Sequence, residues 1–313
     1  MTSEILHTLG AYVKHYAVDL APGNETDFSD SLGGTWYISP TQHAIEFLTL
    51  APLYIGFAVY FGYRAFNKST SAYRLLTSTE KLPPRSFLEI LCLALLIASL
   101  STTVIHKAVT GTLMFLMQPC HVSAGLLILV MSWPSHKYPI IPRVLFNIYL
   151  HTLWGAILAL IWPDLRDHDM FGEIFNFFMG KLLNRHLEWM KKDIKAKRSE
   201  HILVLALPFY MVLTRRYVVI PLSLDMALFS FFLYAAYHSP VLHVSSLLSG
   251  FNLNYALVPP ALTFLIASGR WYRGIMYMSA LLLMFITRYG LVENFLLLVQ
   301  GIQIMIQKKK KSA

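Results

Sequence analysis

Cysteine is nearly absent from this chain: Cys92 and Cys120 are the only two in 313 residues, and both stand inside apolar runs. That excludes a disulfide framework and a thiolate zinc site. Charge is scarce as well, with 17 Asp and Glu against 26 Lys and Arg, 14% of the chain in all. There is no CxxC or HExxH pattern, no GxSxG nucleophile elbow and no Gly-rich phosphate loop. No metal and no organic cofactor is therefore expected. The N-terminus lacks a short basic leader with an apolar core and a small-residue cleavage site, so no cleaved signal peptide is expected and the first span acts as the insertion signal.

What the chain has in excess is apolar residues, 56% of the total, with a mean hydropathy of +0.52. This is the composition of a polytopic membrane protein. The net charge of +9 does not point to nucleic acid, because the basic residues gather between apolar runs and at the C-terminus, where they set topology and meet anionic headgroups. The expected fold class is all-α, a membrane helical bundle of about seven transmembrane helices.

Residues 1–43 read as a polar lumenal or extracellular segment containing the sequon Asn24-Glu25-Thr26. A single transmembrane domain follows over 44–306. Its first span runs from about Ala44 to Tyr63, and the basic stretch Arg64 to Arg85 behind it is placed in the cytosol by the positive-inside rule. Further spans begin near Ser86, around Cys120, near Val144, at His201 and near Leu222, and the last lies within Met276 to Ile306. Pro163 stops the fourth. Residues 163–200, strongly charged from Gly180 on, read as an amphipathic loop whose position by alternation opposes the positive-inside rule. Residues 255–268 are a candidate re-entrant piece, and Arg270-Trp271-Tyr272-Arg273 reads as interfacial. Residues 307–313 form a cytosolic basic tail with lysines third and fourth from the end, the form of a dilysine retrieval signal; a simple stop-transfer flank is the plainer alternative.

The chain is organised around Leu113 to Met131, an apolar run broken by Gln118, Pro119, Cys120 and His121. Pro119 predicts a kink, since it removes a donor and clashes with the carbonyl of Phe115. An amide freed there stabilises a thiolate at Cys120 as a helix N-terminus does. The plain reading of Cys120 is a small buried hydrophobe; the functional one is a nucleophile that needs a base from another span, because adjacent His121 points some 100° away. His151, His201, His238 and His243 are the candidates, each equally able to bond a neighbouring carbonyl.

In chain order Gln118-Pro119-Cys120-His121, His151-Thr-Leu-Trp-Gly155 through Pro163, His201 through Pro208-Phe-Tyr210, Tyr237-His238, Asn252-Leu253-Asn254 and Gly269-Arg-Trp271-Tyr272-Arg273 resemble the transmembrane protein 164 family, over roughly residues 87–275. The resemblance implies a cysteine-dependent acyltransferase of the endoplasmic reticulum membrane, multi-pass, with a lumenal N-terminus and cytosolic C-terminus. It would place polyunsaturated acyl chains from a donor phospholipid on ether-linked lysophospholipids, with a link to ferroptosis. The family's nucleophile falls on Cys120 and its catalytic histidine on His201; the charged stretch of about Gly180 to Glu200, directly before His201, departs from the family pattern. Gln118, His151, His238, Asn252 and Asn254 are candidates for substrate binding or oxyanion stabilisation by residue type. The family is also similar to the androgen-induced membrane hydrolases, so a lipid hydrolase with the same residues stays open, as does a non-enzymatic transporter or scaffold. The expected partners are membrane phospholipids and lysophospholipids.

Overall fold

A computed structural model describes residues 2–19, 21–22, 35–78, 84–134, 139–161, 198–214 and 216–312. The sequon at Asn24 and nearly all of the charged loop 163–200 lie outside these residues.

Helix starts follow from side-chain oxygens that bond the orphan amides of the first turn. Ser39 accepts from Gln42 N and starts α2 (Pro40–Ala65), with Pro40 in the first helical position. Thr70 caps the short α3 (Ser71–Leu76), and Ser86 caps α4 (Phe87–Val109). Upstream of α2, α1 (Thr2–Tyr16) packs on it, an ordered helix in a segment that reads only as polar. The one β pairing among the described residues is a two-residue parallel bridge, Ala21↔Thr35 and Pro22↔Trp36. After α4 come a 3-10 turn (Leu113–Met117), α5 (Pro119–Ser132), α6 (Ile140–Ile161) and α7 (Arg198–Leu213). Next, α8 (Leu224–Ala236), capped by Ser223, continues through a π-helical turn (Tyr237–Leu242) into α9 (His243–Ser249). Pro240 lacks a donor, and the ladder widens there until His243 N bonds His238 O. The short α10 (Thr263–Ala267) leads to α11 (Tyr272–Phe285), a second π turn (Ile286–Val292) and α12 (Glu293–Ser312).

Four helical stretches among the described residues are long and apolar enough to cross a bilayer: Pro40–Ala65, Phe87–Val109, Ile140–Ala159 and Gly269–Ile302. Pro119–Ser132 and Val204–Leu213 are shorter apolar helices. Phe87 (80% exposed) and Val109 (83%) mark the outward apolar surface of α4, an inverted pattern that suits lipid rather than water. Apart from that short β pairing, the regular structure of the described residues is helical, in helices that suit a membrane.

Two polar layers close the ends of the bundle. At the basic end Arg64 pairs with Asp225 at 3.0 Å, and Arg143 donates to the carbonyls of Leu76 and Ser78. Asn147 donates to Val218 O and accepts from Ile220 N, while Arg288 donates to Ile220 O. Tyr217, in the connection between α7 and α8, donates to buried Glu89; burial first, then this bond, pushes its phenol above the ordinary range. The opposite layer holds residues 36–46, 107–121 and 237–273, and the candidate site lies in it.

α4 ends there in a Schellman turn. Gly111, at φ +74°, takes the left-handed position, and Thr112 N bonds back to Lys107 O at 2.8 Å. A Cβ at Gly111 would meet nothing within 4 Å, so substitution costs backbone strain alone. Gly111→Ala is expected to lower stability by about 1 kcal/mol, read as an earlier thermal transition in detergent; an unchanged transition would mean that the turn relaxes freely.

Candidate functional site

The break before Cys120 is sharper than a kink. Proline clashes with the carbonyl four residues back only if the helix continues, and it does not. Leu113–Met117 forms a 3-10 turn in which Phe115 O accepts from Gln118 N at 3.0 Å. Gln118 is extended (φ −61°, ψ 143°), and a new helix starts at Pro119, where its fixed φ is favourable. Cys120 is thus in the first turn of α5, where the macrodipole favours negative charge; Pro119 has no amide N–H, and those of His121 and Val122 bond Gln118 O at 3.1 Å. The Cys120 thiol, half-buried, lies 4.0 Å from Gln118 Oε1. The Tyr237 hydroxyl donates to Met117 O at 2.5 Å, tying the start of the π turn to the break that presents the thiol. Tyr237→Phe is expected to cost about 1 kcal/mol and to raise the alkylation rate of Cys120 relative to Cys92. Equal rates in variant and wild type would remove Tyr237 from the site.

His201 is in the first turn of α7; its side chain lies outside the described residues. Its place relative to Cys120 follows from the backbone. Arg85 donates to Trp133 O at the end of α5, and Ser86 Oγ bonds the Tyr210 hydroxyl near the end of α7 at 2.6 Å. Both helices therefore end beside the start of α4 and run in the same direction. Ala124, Leu127 and Met131 of α5 share one core with Val204, Leu207 and Met211 of α7. About one turn back from that shared core stand Cys120 on one helix and His201 on the other.

Beneath the break, Leu253 packs with Phe115, Leu242, Met117 and Tyr237, so that Asn252, Asn254 and His238 belong to the layer on which the Cys120 turn rests. His238 Nδ1 faces the Tyr277 hydroxyl at 2.8 Å, and Nε2 faces Asn254 O at 2.9 Å. A carbonyl only accepts, so Nε2 carries the proton. Asn254, left-handed at φ 47°, donates from its side chain to the Tyr234 hydroxyl. Asn252 accepts from Leu257 N and Val258 N and donates to Val258 O, closing its own loop. Of the candidate re-entrant piece 255–268, Ala256, Leu257, Val258 and Pro259 are buried, whereas Ala261, Thr263, Phe264 and Ala267 are exposed. His151 stands apart: its Nδ1 donates to Asn147 O at 2.7 Å and its Nε2 faces the Tyr289 hydroxyl at 3.1 Å. Gln118 is thus beside Cys120, His238, Asn252 and Asn254 are in the supporting layer, and the bonds of His151 run toward the basic end.

A network that sequence reasoning missed lies in the same layer. Arg273, 3% exposed, is a core residue and not interfacial. It donates to Glu46 at 2.5 Å, to His43 Nδ1 at 3.0 Å, to the Tyr272 hydroxyl at 3.2 Å and to Ala256 O. His43 Nδ1 also faces His243 Nε2 at 2.5 Å. The signal that points to it is Glu46, a single acid inside the first span, which a bilayer tolerates only when it is paired. Among the described residues no group of three or more His, Cys, Asp or Glu could hold a metal ion.

No family model matches the chain, and no solved structure matches it. Among curated proteins it is similar to the Transmembrane protein 164 homolog of Dictyostelium discoideum, 26% identical over 229 residues that cover 72% of this chain and 74% of that protein. The ordered motifs from Gln118 to Arg273 resemble the same family, the transmembrane protein 164 family, to whose Dictyostelium homolog the chain is similar.

Proposed function

We propose that this protein is a membrane-embedded phospholipid acyltransferase that moves polyunsaturated acyl chains from a donor phospholipid to ether-linked lysophospholipids through an acyl-thioester on Cys120. The observation that carries the reading is the thiol in the first turn of α5, beside Gln118, with His201 in the first turn of the parallel neighbour. In the first half-reaction the His201 imidazole takes the thiol proton and the thiolate attacks the donor ester carbonyl. The tetrahedral oxyanion collapses, the carbon–oxygen bond breaks, and the imidazolium protonates the departing lysophospholipid oxygen. In the second, His201 removes the acceptor hydroxyl proton, that oxygen attacks the thioester, and the thiolate leaves and is reprotonated. Gln118 supplies an amide N–H to the oxyanion after rotation of its side chain. The surrounding apolar helices keep water scarce, which favours a lipid acceptor over hydrolysis.

The same reading places the shorter helices Pro119–Ser132 and Val204–Leu213 and the stretch 224–249 across the bilayer with the four long ones, making seven crossings. The N-terminus is then lumenal, and the basic layer and lysine tail cytosolic, in the endoplasmic reticulum.

The test is lipid analysis of membranes bearing wild type, Cys120→Ala or His201→Ala at equal protein level, given a lyso-ether-phospholipid and a labelled diacyl donor. Transfer by wild type and loss in both variants is expected. Labelled free fatty acid without transfer would replace the reading by a hydrolase, and identical lipids from all three by a non-enzymatic protein.

A further inference from the structure

Helix α1 has three unlike faces. At about 100° per residue, Gly10 and Val13 turn to one side, Ile5, Tyr12 and Tyr16 to a second, and Glu4, Thr8, Ala11 and His15 to a third. The first side packs on the start of α2. Gly10 is buried there, and a Cβ on it would lie 2.4 Å from Thr41 Oγ1 and 3.0 Å from Thr41 N, so only glycine permits so close an approach. The third side is exposed and polar apart from Ala11, with Thr8 Oγ1 donating to Glu4 O at 2.9 Å. The second is apolar and aromatic, yet among the described residues it is left uncovered: Ile5 is 52%, Tyr12 58% and Tyr16 68% exposed.

Contacts on either side of α1 fix its height in the bundle. Next to Thr41, Gln42 donates to Arg270 O at 2.7 Å, and the following Trp271 is 66% exposed with the Arg270 guanidinium 5.2 Å from its ring centroid. An exposed tryptophan with an arginine beside it, at the end of an apolar helix, marks the level of the lipid headgroups. Past the end of α1, Val18 N donates to Leu247 O at 2.8 Å, close to the end of α9, which holds the helix at the same end of the bundle. One to two turns further into α2, Ile45 and Leu48 are exposed in their turn, as side chains that meet lipid. A helix lying beside the bundle at that height has protein on one flank, hydrocarbon below and water above, and the three faces of α1 match those surroundings. Tyrosine, with an apolar ring and a polar tip, is a residue such a boundary favours. The stripe is also too small for a stable contact with a second copy, which needs about 800 Å² from each partner. We propose that α1 is an interfacial helix whose Ile5, Tyr12 and Tyr16 stripe docks on the phospholipid bilayer, at the headgroup–acyl boundary of the leaflet at the Cys120 end. This docking stands whether or not Cys120 is a nucleophile.

The test places single nitroxide labels on the full-length chain in phosphatidylcholine liposomes, in a Cys92→Ser/Cys120→Ser background whose thermal transition matches wild type. The labelled positions are Ile5→Cys, Tyr12→Cys and Tyr16→Cys on the stripe, and Thr8→Cys, Ala11→Cys and His15→Cys on the polar face. Collisions with oxygen, which concentrates in hydrocarbon, and with a water-soluble nickel chelate report the depth of each label. The expected oxygen-to-nickel ratio is several-fold higher at the three stripe positions than at the other three, with the stripe about 5–10 Å into the boundary. Because the pattern is read over six positions, one label that disturbs the helix does not decide it. Ready access to nickel at all six would leave α1 in water and overturn the proposal. Oxygen preference at all six would sink the whole helix in hydrocarbon and overturn it too. Low access to both reagents at the stripe, with dipolar broadening between labels, would put a second copy of the chain there in place of lipid.

Discussion

Cys120→Ser is expected to lower acyl transfer by at least about 1,000-fold, since removing a nucleophile from an enzyme that depends on it costs several orders of magnitude. Serine keeps the volume and the place in the first turn of α5, so the fold has little reason to change. What changes is acidity: a thiol ionises far more readily than a hydroxyl, which stays protonated without a fuller relay. The intermediate changes too. Label on wild type should be released by neutral hydroxylamine, as a thioester is, and Cys120→Ser should carry almost none. Transfer by Cys120→Ser within a few-fold of wild type would return Cys120 to the role of a packed hydrophobe. Cys92→Ser is the control; that residue is half-buried in the wall of the α4–α5–α7 core and is expected to retain activity.

The second large effect is on stability. Arg273→Leu removes a guanidinium that meets Glu46, His43, the Tyr272 hydroxyl and Ala256 O, and leaves the Glu46 carboxylate without its counter-charge in a layer shielded from water. Deleting one partner of a buried ion pair costs about 3–5 kcal/mol. Gln42 continues to bond Glu46 at 2.6 Å, but a neutral amide does not replace a cation. The double variant Glu46→Leu/Arg273→Leu should be more stable than Arg273→Leu alone, because it strands no charge, although His43 and Ala256 O still lose a donor. Thermal unfolding of the three variants in detergent measures the coupling. A loss below about 1 kcal/mol for Arg273→Leu would mean that the pair only just offsets its own desolvation.

Much of this molecule can be read from composition and periodicity. The expected spans at about Ala44–Tyr63, from Ser86 and from Val144 are matched by α2, α4 and α6 to within a few residues, because twenty apolar residues in lipid have no means of satisfying their backbone other than a helix. The Gln118-Pro119-Cys120-His121 break was visible for the same reason, as polar residues and a proline interrupt such a run only at a cost. The form of the break was not. A kink and a fresh helix start share one sequence, and the choice fell to contacts from elsewhere: Tyr237 on Met117 O and Leu253 beneath Phe115. The ordering of α1 likewise needed α2 beside it.

The sequence by itself determined the class, an all-helical membrane protein, and the one cysteine in a break, because hydrophobicity and proline act locally. Only the tertiary structure decided that α5 and α7 run parallel from Cys120 and His201 and that Arg273 joins Glu46 across 227 positions of chain. Those outcomes depend on which buried charge or carbonyl finds which partner, and that pairing is settled by helices meeting in space, with no trace in the residues flanking either one.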